Sequence, residues 1–352
     1  MSYQPIENYG IIGNLNSVAL VGRDGSIDFL CFPRFDSPSI FAALLDQKKG
    51  GHFKIAPVAK KFRSRQMYLP DTNILLTRFL SDEGVATLSD FMPVSESKHD
   101  NTLIRRLKVV HGKITFQMTF APRFDYGRAS HKVTKSHGEV TFRQQGTQHI
   151  ILRLHPSVSV NIQAGDAVAE FTLQAGDSVA FILEEAARGK PSAPEVANLS
   201  DDDYVSRAFK ETMNYWTDWI GRSKYRGRWR EVVNRSALTL KLLCSREFGS
   251  IVAAPTFGLP ETIGGERNWD YRFTWIRDAS FTIDAFMQLG FTEEARAFNN
   301  WIIERSRDFN PALPLQVVYG MDGRRELPES VLKHFEGYRR SRPVRIGNAA
   351  KD

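Results

Sequence analysis

The pattern of hydrophobic and polar positions along the chain changes near residue 200. Before that point, apolar and polar residues alternate with a period of two over short runs, among them SVALV, IDFLCF, NILLTRFL, VATLSDFM, EVTFRQ and SVAFILEE. Turn residues separate these runs, so that strands recur at intervals of roughly 8–12 residues. This spacing predicts antiparallel sheets packed as a β-sandwich over residues 1–190.

Three turn motifs inside this region make specific predictions. HGK at 111–113 predicts a turn between the runs TLIRRLKVV and ITFQMTF. QAGD occurs twice, at 163–166 and at 174–177. Each copy predicts a β-hairpin, because glycine accepts the positive φ that tight hairpin turns need.

A different composition follows at residues 188–203, RGKPSAPEVANLSDDD, which combines Pro, Ser and Ala with an acidic run. A stretch of this kind is typical of a linker. Ser200 and the aspartates at 201–203 predict the N-cap and first turn of a helix, because acidic side chains suit the positive end of the helix dipole.

Beyond the linker, apolar residues recur at the 3.6-residue spacing of helices. Four helices are predicted: one directly after the acidic run, one from about Arg228 to Arg246, one from near Trp275 and one from Thr292. The second would turn Trp229 and Val232 toward its apolar side. The chain is therefore predicted to consist of a β-sandwich over 1–190, a helical linker over 191–225 and a helical domain over 226–352.

The composition is that of an ordinary globular protein, with 42% apolar and 25% charged residues. No run of about 18 apolar residues occurs, so no membrane partner is expected. The N-terminus lacks the basic and apolar regions of a secretion signal. Cys31 and Cys244 are far apart and have no metal-ligand spacing, which predicts two buried thiols in a reducing compartment. We expect a cytoplasmic protein without a metal or cofactor.

The formal net charge of +7 raises the question of nucleic-acid binding. Basic residues are scattered among acids, however, and no Lys/Arg-rich block, zinc-finger spacing or RNP-like motif occurs, so we expect no nucleic-acid partner. Some excess base lies near the C-terminus, at Arg324, Arg325, Lys333, Arg339, Arg340, Arg342 and Arg345. Two interpretations stay open: a solvated basic face, or a fragment that lacks its acidic partner region.

Aromatic and charged side chains are concentrated at 267–280, RNWDYRFTWIRDAS, around the predicted start of the third helix. Because adjacent helical residues point about 100° apart, we expect Arg277 and Asp278 not to form a simple ion pair but to reach beyond the helix end. Tyr271 and Trp275 lie nearby. One interpretation is a helix cap with aromatic packing. The other is a carbohydrate site, because sugars stack an apolar face on aromatic rings and offer hydroxyls to Arg and Asp.

Longer motifs favour the carbohydrate site. APTFGLPETIGGERNWDYRFTWIRDASF, YGMDGRRELPE and GYRRSRPVRIGNAA resemble glycoside hydrolase family 15, which contains glucoamylases and a group of bacterial and archaeal trehalases. The N-terminal PIENYGIIGNLNSVALVGRDGSIDFLCFPRFDSPSIFAALLD resembles the opening of its prokaryotic members. The resemblance implies a β-sandwich, a helical linker and an (α/α)6 barrel, of which residues 226–352 would form the first part. It also implies inverting hydrolysis of α-glucosidic bonds from the non-reducing end, with trehalose or an α-glucan oligosaccharide as substrate.

The same resemblance implies roles for individual residues. Arg277 and Asp278 match the pair that binds the hydroxyls of the terminal glucose, and Tyr271 and Trp275 match aromatic residues that line the same subsite. Further motifs that border the pocket match at Tyr319, Asp322 and Arg345.

The catalytic pair is not identified among these residues. Inverting hydrolysis needs a general acid and a general base about 6.5–9.5 Å apart. In family 15 both are glutamates that lie well downstream of the W-x-R-D motif, so the resemblance places neither on residues 1–352. The local carboxylates are expected to be loop or helix-face residues: Glu261, Glu266, Glu326, Glu329 and Glu336.

Two functions therefore stay open. One is a family-15 glycosidase that is inactive as this truncated chain. The other is a non-catalytic carbohydrate-binding or scaffold protein made from the front half of the family fold. Self-association of the chain also stays open, because the first helices of a barrel alone would leave apolar faces uncovered.

Overall fold

The computed structural model describes residues 3–59, 61–94, 101–136, 138–146, 150–186, 202–307 and 315–350. Most of the linker stretch at 188–203, with the N-cap residue Ser200 and the following Asp201, lies outside the described residues.

The first half is an antiparallel β-sandwich. Its strands are β1 (Tyr9–Gly13), β2 (Val18–Gly22), β3 (Ser26–Cys31), β4 (Ser39–Phe41), β5 (His52–Pro57), β6 (Arg63–Tyr68), β7 (Leu75–Ser81), β8 (Gly84–Phe91), β9 (Thr102–Ala121), β10 (His131–Ser136), β11 (Glu139–Gln144), β12 (Ile151–Pro156), β13 (Asn161–Gln163), β14 (Asp166–Gln174) and β15 (Ser178–Glu185). One sheet has the order β1-β2-β3-β5-β9-β14-β13, and the other has the order β6-β7-β8-β9-β15-β12-β11-β10.

Strand β9 belongs to both sheets, and the predicted turn at HGK is therefore wrong. Its first part pairs with β8 and β15, and its second part pairs with β5 and β14. The bend lies at Gly112, which has φ +79° and faces Gly84. A Cβ atom at Gly112 would lie 2.0 Å from the carbonyl oxygen of Glu83, so only glycine allows the strand to continue here.

The two QAGD motifs have different outcomes. The first forms the predicted hairpin: Gln163 pairs with Asp166, and Ala164 and Gly165 between them have positive φ. The second is not a hairpin, because β14 pairs with one part of β9 and β15 pairs with the other. This turn instead carries the chain from one sheet to the other.

The helices of the second half are α1 (Asp202–Gly221), α2 (Arg230–Leu242), α3 (Ile276–Leu289) and α4 (Thr292–Ser306). Their apolar faces are buried largely as predicted, for example at Trp216, Phe286 and Trp301. Helix α2 is the exception, because Trp229 is 58% and Val232 is 64% exposed. Its buried face instead carries Asn234, Ala237, Leu238 and Leu242, so the predicted apolar side of this helix is wrong. None of the helices in the described ranges is long and apolar enough to span a bilayer.

The sandwich and the helices pack against each other through one apolar cluster. Phe29 of β3 and Tyr126 of the sandwich contact the ring of Phe257, which lies in the loop between α2 and α3. Two short strand pairs complete the second half: β16 (Thr274–Trp275) with β17 (Val318–Tyr319), and β18 (Ser330–Val331) with β19 (Arg345–Ile346). The first pair joins the residues that enter α3 to the segment that follows α4.

Candidate functional site

The motif at 267–280 begins as an extended segment and then enters helix α3. The extended part is hydrogen-bonded to residues 253–258: the N–H of Gly258 donates to the carbonyl of Trp269 at 3.0 Å, and the N–H of Ala254 donates to that of Tyr271 at 3.0 Å. Successive side chains of an extended segment point to opposite sides. Asn268, Asp270 and Arg272 are accordingly buried, whereas Trp269 and Tyr271 are partly exposed.

The buried side is centred on an ion pair between Asp270 and Arg272. The Nε of Arg272 lies 2.9 Å from Oδ1 of Asp270, and Nη2 lies 2.7 Å from Oδ2, which is the two-pronged geometry that makes such pairs strong. The remaining guanidinium nitrogen, Nη1, faces the sandwich. It donates to the carbonyl of Ser37 at 2.7 Å and to Sγ of Cys31 at 3.3 Å.

Sequence reasoning missed Asp270 and Arg272. Their neighbours in the chain are aromatic, and the acceptors of Arg272 come from distant parts of the sequence. Asp270 also accepts a hydrogen bond from the N–H of Gly347 at 3.0 Å, so the pair ties the C-terminal loop to the motif. The period-two alternation of NWDYR was the one signal that placed both charges on the same side of the segment.

The partly exposed side carries the predicted aromatic residues. The rings of Tyr271 and Trp275 lie 5.5 Å apart at an interplanar angle of 42°. The guanidinium of Arg345 lies over the ring of Trp269, 4.7 Å from its centroid, and its Nε lies 3.1 Å from a carboxylate oxygen of Glu329. The structure thus brings Tyr271 and Trp275 together, and it places Arg345 beside Trp269, which borders them in the chain.

Arg277 and Asp278 lie in the first turn of α3, directly after Trp275. Their side chains form an ion pair, with Nη2 of Arg277 3.1 Å from Oδ2 of Asp278, so the expectation that they would not pair is wrong. The long arginine side chain folds back over the carboxylate and so overcomes the angle between adjacent helical positions. The two side chains are 75% and 40% exposed, which leaves both accessible to a ligand.

Tyr319 lies away from the exposed face. It is 3% exposed, packs edge-on against Trp301 at 5.8 Å, and its hydroxyl accepts a hydrogen bond from the N–H of Gln316. Its backbone pairs with Thr274, next to Trp275. The side chain of Tyr319 is therefore placed to support the motif from the core.

Asp322 follows β17 and is linked to the sandwich through Arg324. The guanidinium of Arg324 lies 3.0 Å from Asp322 and 2.8 Å from Asp36, a sandwich residue with a buried side chain that sequence reasoning did not identify. Partial burial alone would raise the pKa of Asp322, but the N–H and guanidinium of Arg324 hold the pKa below its usual value. Asp322 is therefore a carboxylate fixed by a cation rather than a candidate proton donor.

Three of the local glutamates have structural partners. Glu261 pairs with Arg267 at 2.6 Å, Glu329 pairs with Arg345, and Glu336 accepts a hydrogen bond from the hydroxyl of Tyr3. Within the described ranges, no group of three or more His, Cys, Asp or Glu side chains could hold a metal ion. What the site can offer chemically is aromatic surface, an arginine and a carboxylate at the start of a helix.

Two protein-family models match the chain. The model described as "Trehalase-like, N-terminal" matches residues 1–191, more than half of the sequence. The model described as "Glycosyl hydrolases family 15" matches residues 227–352 and thus includes all the site residues that the sequence predicts.

Curated proteins are similar to almost the whole chain. The trehalase of Mycolicibacterium smegmatis is 35% identical, and the match covers 99% of this chain and 54% of that protein. The trehalase of Thermoplasma volcanium is also 35% identical, with 99% of this chain and 55% of that protein covered. The chain therefore spans about half the length of the curated relatives it matches.

Solved structures share the fold. A bacterial glucoamylase complexed with acarbose superposes with a TM-score of 0.67 over 92% of this chain and 53% of that chain, at 14% identity. A likeness at this identity concerns the fold alone. Together with the observed elements, it confirms the predicted fold class, an antiparallel β-sandwich followed by the first part of an (α/α)6 barrel.

Proposed function

The chain belongs to the trehalase-like branch of glycosyl hydrolase family 15, and on that premise we propose that it binds the terminal glucose of an α-glucoside. The observation that carries the proposal is the partly exposed aromatic pair of Tyr271 and Trp275, followed in the chain by the accessible side chains of Arg277 and Asp278. The relatives are named trehalases, which supports trehalose as the substrate.

The chemistry of a glucose ring fits these residues. The axial C–H groups of the sugar stack on the rings of Tyr271 and Trp275, and the hydroxyls exchange hydrogen bonds with the guanidinium of Arg277 and the carboxylate of Asp278. Because the ion pair between these two is exposed, turning it toward a ligand costs little free energy. A carboxylate held beside the ring also favours the positive charge that develops in an oxocarbenium-like transition state.

We propose that the reaction of the whole protein is inverting hydrolysis of the α-glucosidic bond. That reaction needs a general acid and a general base. We assign neither role to residues 1–352, because the family resemblance places neither glutamate there, and the nearby Glu261 and Glu329 are each paired with an arginine. In this reaction the chain binds the glucose that is released with inverted configuration. We propose that residues 1–352 alone bind sugar without hydrolysing it.

Sugar binding is tested by titrating the chain with trehalose and following tryptophan fluorescence. Trp275→Phe should weaken or abolish the change in fluorescence. Trp229→Phe is the matched control, because Trp229 is exposed but lies at the start of α2, outside the site. Cellobiose, which is β-linked, should bind more weakly than trehalose. If wild type shows no saturable response to trehalose, or if both variants lose it equally, the assignment of the site is wrong.

The alternative, a non-catalytic carbohydrate-binding protein, uses the same site, and a hydrolysis assay separates the two. Release of glucose from trehalose by residues 1–352 would contradict our assignment of both catalytic groups to positions outside this range. Binding without turnover by this chain, together with turnover by a longer form, would support the glycosidase. Binding without turnover by every form of the protein would favour the binding module.

A further inference from the structure

A left-handed turn in the sandwich lies against the candidate site. Asp125 has φ +50° and ψ +54°, Tyr126 has φ +59° and ψ +28°, and Gly127 has φ +78°. Two consecutive residues with side chains in the left-handed region are unfavourable, because Cβ crowds the following carbonyl. Backbone of this kind persists where its surroundings hold it, and it is often found near functional sites.

The surroundings hold this turn from several sides. The N–H of Ala129 donates to the carbonyl of Phe124 at 3.2 Å, and a ring nitrogen of His334 lies 2.8 Å from the carbonyl oxygen of Tyr126. Phe124 is fully buried in the sandwich core. The turn is therefore fixed between the sandwich and the C-terminal segment that contains His334.

The consequence of the turn is the position of the Tyr126 side chain. The ring is 5% exposed and packs edge-on against Phe257 at 5.2 Å. Its hydroxyl accepts a hydrogen bond of 3.1 Å from Nη2 of Arg272, the same nitrogen that binds Asp270. With Tyr126, Ser37 and Asp270 as partners, the guanidinium reaches acceptors on both the sandwich and the motif.

Asp270 and Arg272 flank Tyr271 in the chain, and both point away from the exposed face. In an extended segment, the side chain between two buried and fixed side chains must point to the opposite face. We propose that Tyr126 is a positioning residue for the sugar site: through Arg272 and Asp270 it fixes the segment that carries Trp269 and Tyr271. The inference rests on the proposed function. It gives the sandwich a role in sugar binding that the sequence does not indicate, because Tyr126 lies far from the motif along the chain.

The first test is Tyr126→Phe, which removes the hydroxyl and leaves one N–H of Arg272 without its acceptor. Tyr9→Phe is the matched control, because the Tyr9 hydroxyl donates to Asp28 inside the sandwich at 2.7 Å. We expect Tyr126→Phe to raise the Kd for trehalose about three- to tenfold at a temperature where both variants are folded, and Tyr9→Phe to leave it unchanged. An unchanged Kd in Tyr126→Phe, or an equal rise in both variants, would overturn the proposal.

Hydrogen exchange supplies a readout that does not depend on sugar. Amide protons of Tyr271 and of its partner Ala254 should exchange faster in Tyr126→Phe than in Tyr9→Phe, because the segment is less firmly held. If wild type does not bind trehalose, the proposed function fails, and this comparison alone decides the positioning role. Equal exchange rates in the two variants would then refute it.

A second pair of variants covers the case in which Tyr126→Phe does not fold. Gly127→Ala strains the left-handed turn without altering Tyr126 or Arg272, since its Cβ would lie 2.9 Å from the carbonyl oxygen of Lys49. Gly138→Ala is its control, because Gly138 also has positive φ, at +81°, but has open space around the added atom. Faster exchange at Tyr271 in Gly127→Ala alone supports the proposal, and the same rate in both variants contradicts it.

Discussion

The guanidinium of Arg277 lies 3.1 Å from the carboxylate of Asp278, the residue that follows it in the chain, and both side chains face solvent. An exposed pair of this kind contributes about 0–1 kcal/mol to folding. Its two members are consequently available to interact with a ligand, while the fold depends on the buried residues behind them.

Arg277→Ala and Asp278→Asn should each leave the fold intact and remove most of the function. In a form of the protein that turns over trehalose, we expect kcat/KM to fall by several decades, because the lost hydrogen bonds support the transition state. The free energy of unfolding should change by less than about 0.5 kcal/mol. Near wild-type kcat/KM in both variants would mean that the sugar binds elsewhere.

Arg272→Ala, in contrast, should lower the free energy of unfolding. It leaves the Asp270 carboxylate buried without its partner and removes hydrogen bonds to Ser37 and Tyr126. Breaking a buried pair in this way costs about 3–5 kcal/mol, which urea unfolding monitored by circular dichroism will measure. Arg277→Ala serves as the exposed control, and a loss of similar size in the two variants would contradict the assignment of Arg272 to the core.

The stability of the helical half should depend on Glu294 and fall in acid. Burial alone would raise the pKa of Glu294, but the Lys241 ammonium at 2.8 Å and the indole N–H of Trp219 at 2.7 Å lower the pKa below its usual value. A carboxyl whose pKa is lowered on folding contributes stability above its unfolded pKa of about 4.3, and this is lost as pH falls through the folded value.

The experiment compares Glu294→Gln with wild type in urea at several pH values. The variant should be less stable at pH 7, and the difference should shrink as pH falls below about 4.3. Glu293→Gln is the control at the next position, because Glu293 is exposed and paired with an exposed Arg222. A difference that stays constant with pH would show that Glu294 acts through packing alone.

Apolar side chains on the helices should make residues 1–352 self-associate. Phe281 and Met287 of α3 are 72% and 57% exposed, and Ile303 of α4 is 51% exposed. Exposed apolar patches are typical of protein–protein interfaces. Phe281→Ser with Met287→Ser should lower the weight-average mass in sedimentation velocity at a given concentration. Val110→Ser, at a site 54% exposed on the sandwich, should not, and an equal effect would point to association elsewhere.

Sequence patterns predicted where the strands lie better than which strands pair with each other. The period-two runs became strands because alternation is a local property of the chain. The turn at HGK was wrong because Gly112 bends β9 without ending it, and the choice between bend and hairpin depends on strands as distant as β15. The second QAGD turn was wrong for the same reason, since pairing with β9 separates the strands on either side of it.

Sequence reasoning singled out residues on the exposed side of the motif and missed those on its buried side. Tyr271 and Trp275 are neighbours in sequence and in space, so their contact could be inferred. The partners of Arg272 lie at Ser37 and Tyr126, more than a hundred residues away, and no local pattern indicates them. Asp36 escaped notice in the same way, because its partner Arg324 belongs to the far end of the chain.

The shared strand β9 has a consequence for how the sandwich assembles. It pairs with β5, β8, β14 and β15, which lie on both sides of it in the sequence, so neither sheet is complete until β9 is in place. Completing both sheets brings strands from before residue 60 and after residue 165 onto one backbone, and long-range pairing of this kind makes folding slow. Once formed, the two layers cannot separate without breaking that backbone's ladders, and the sandwich should melt in a single cooperative step.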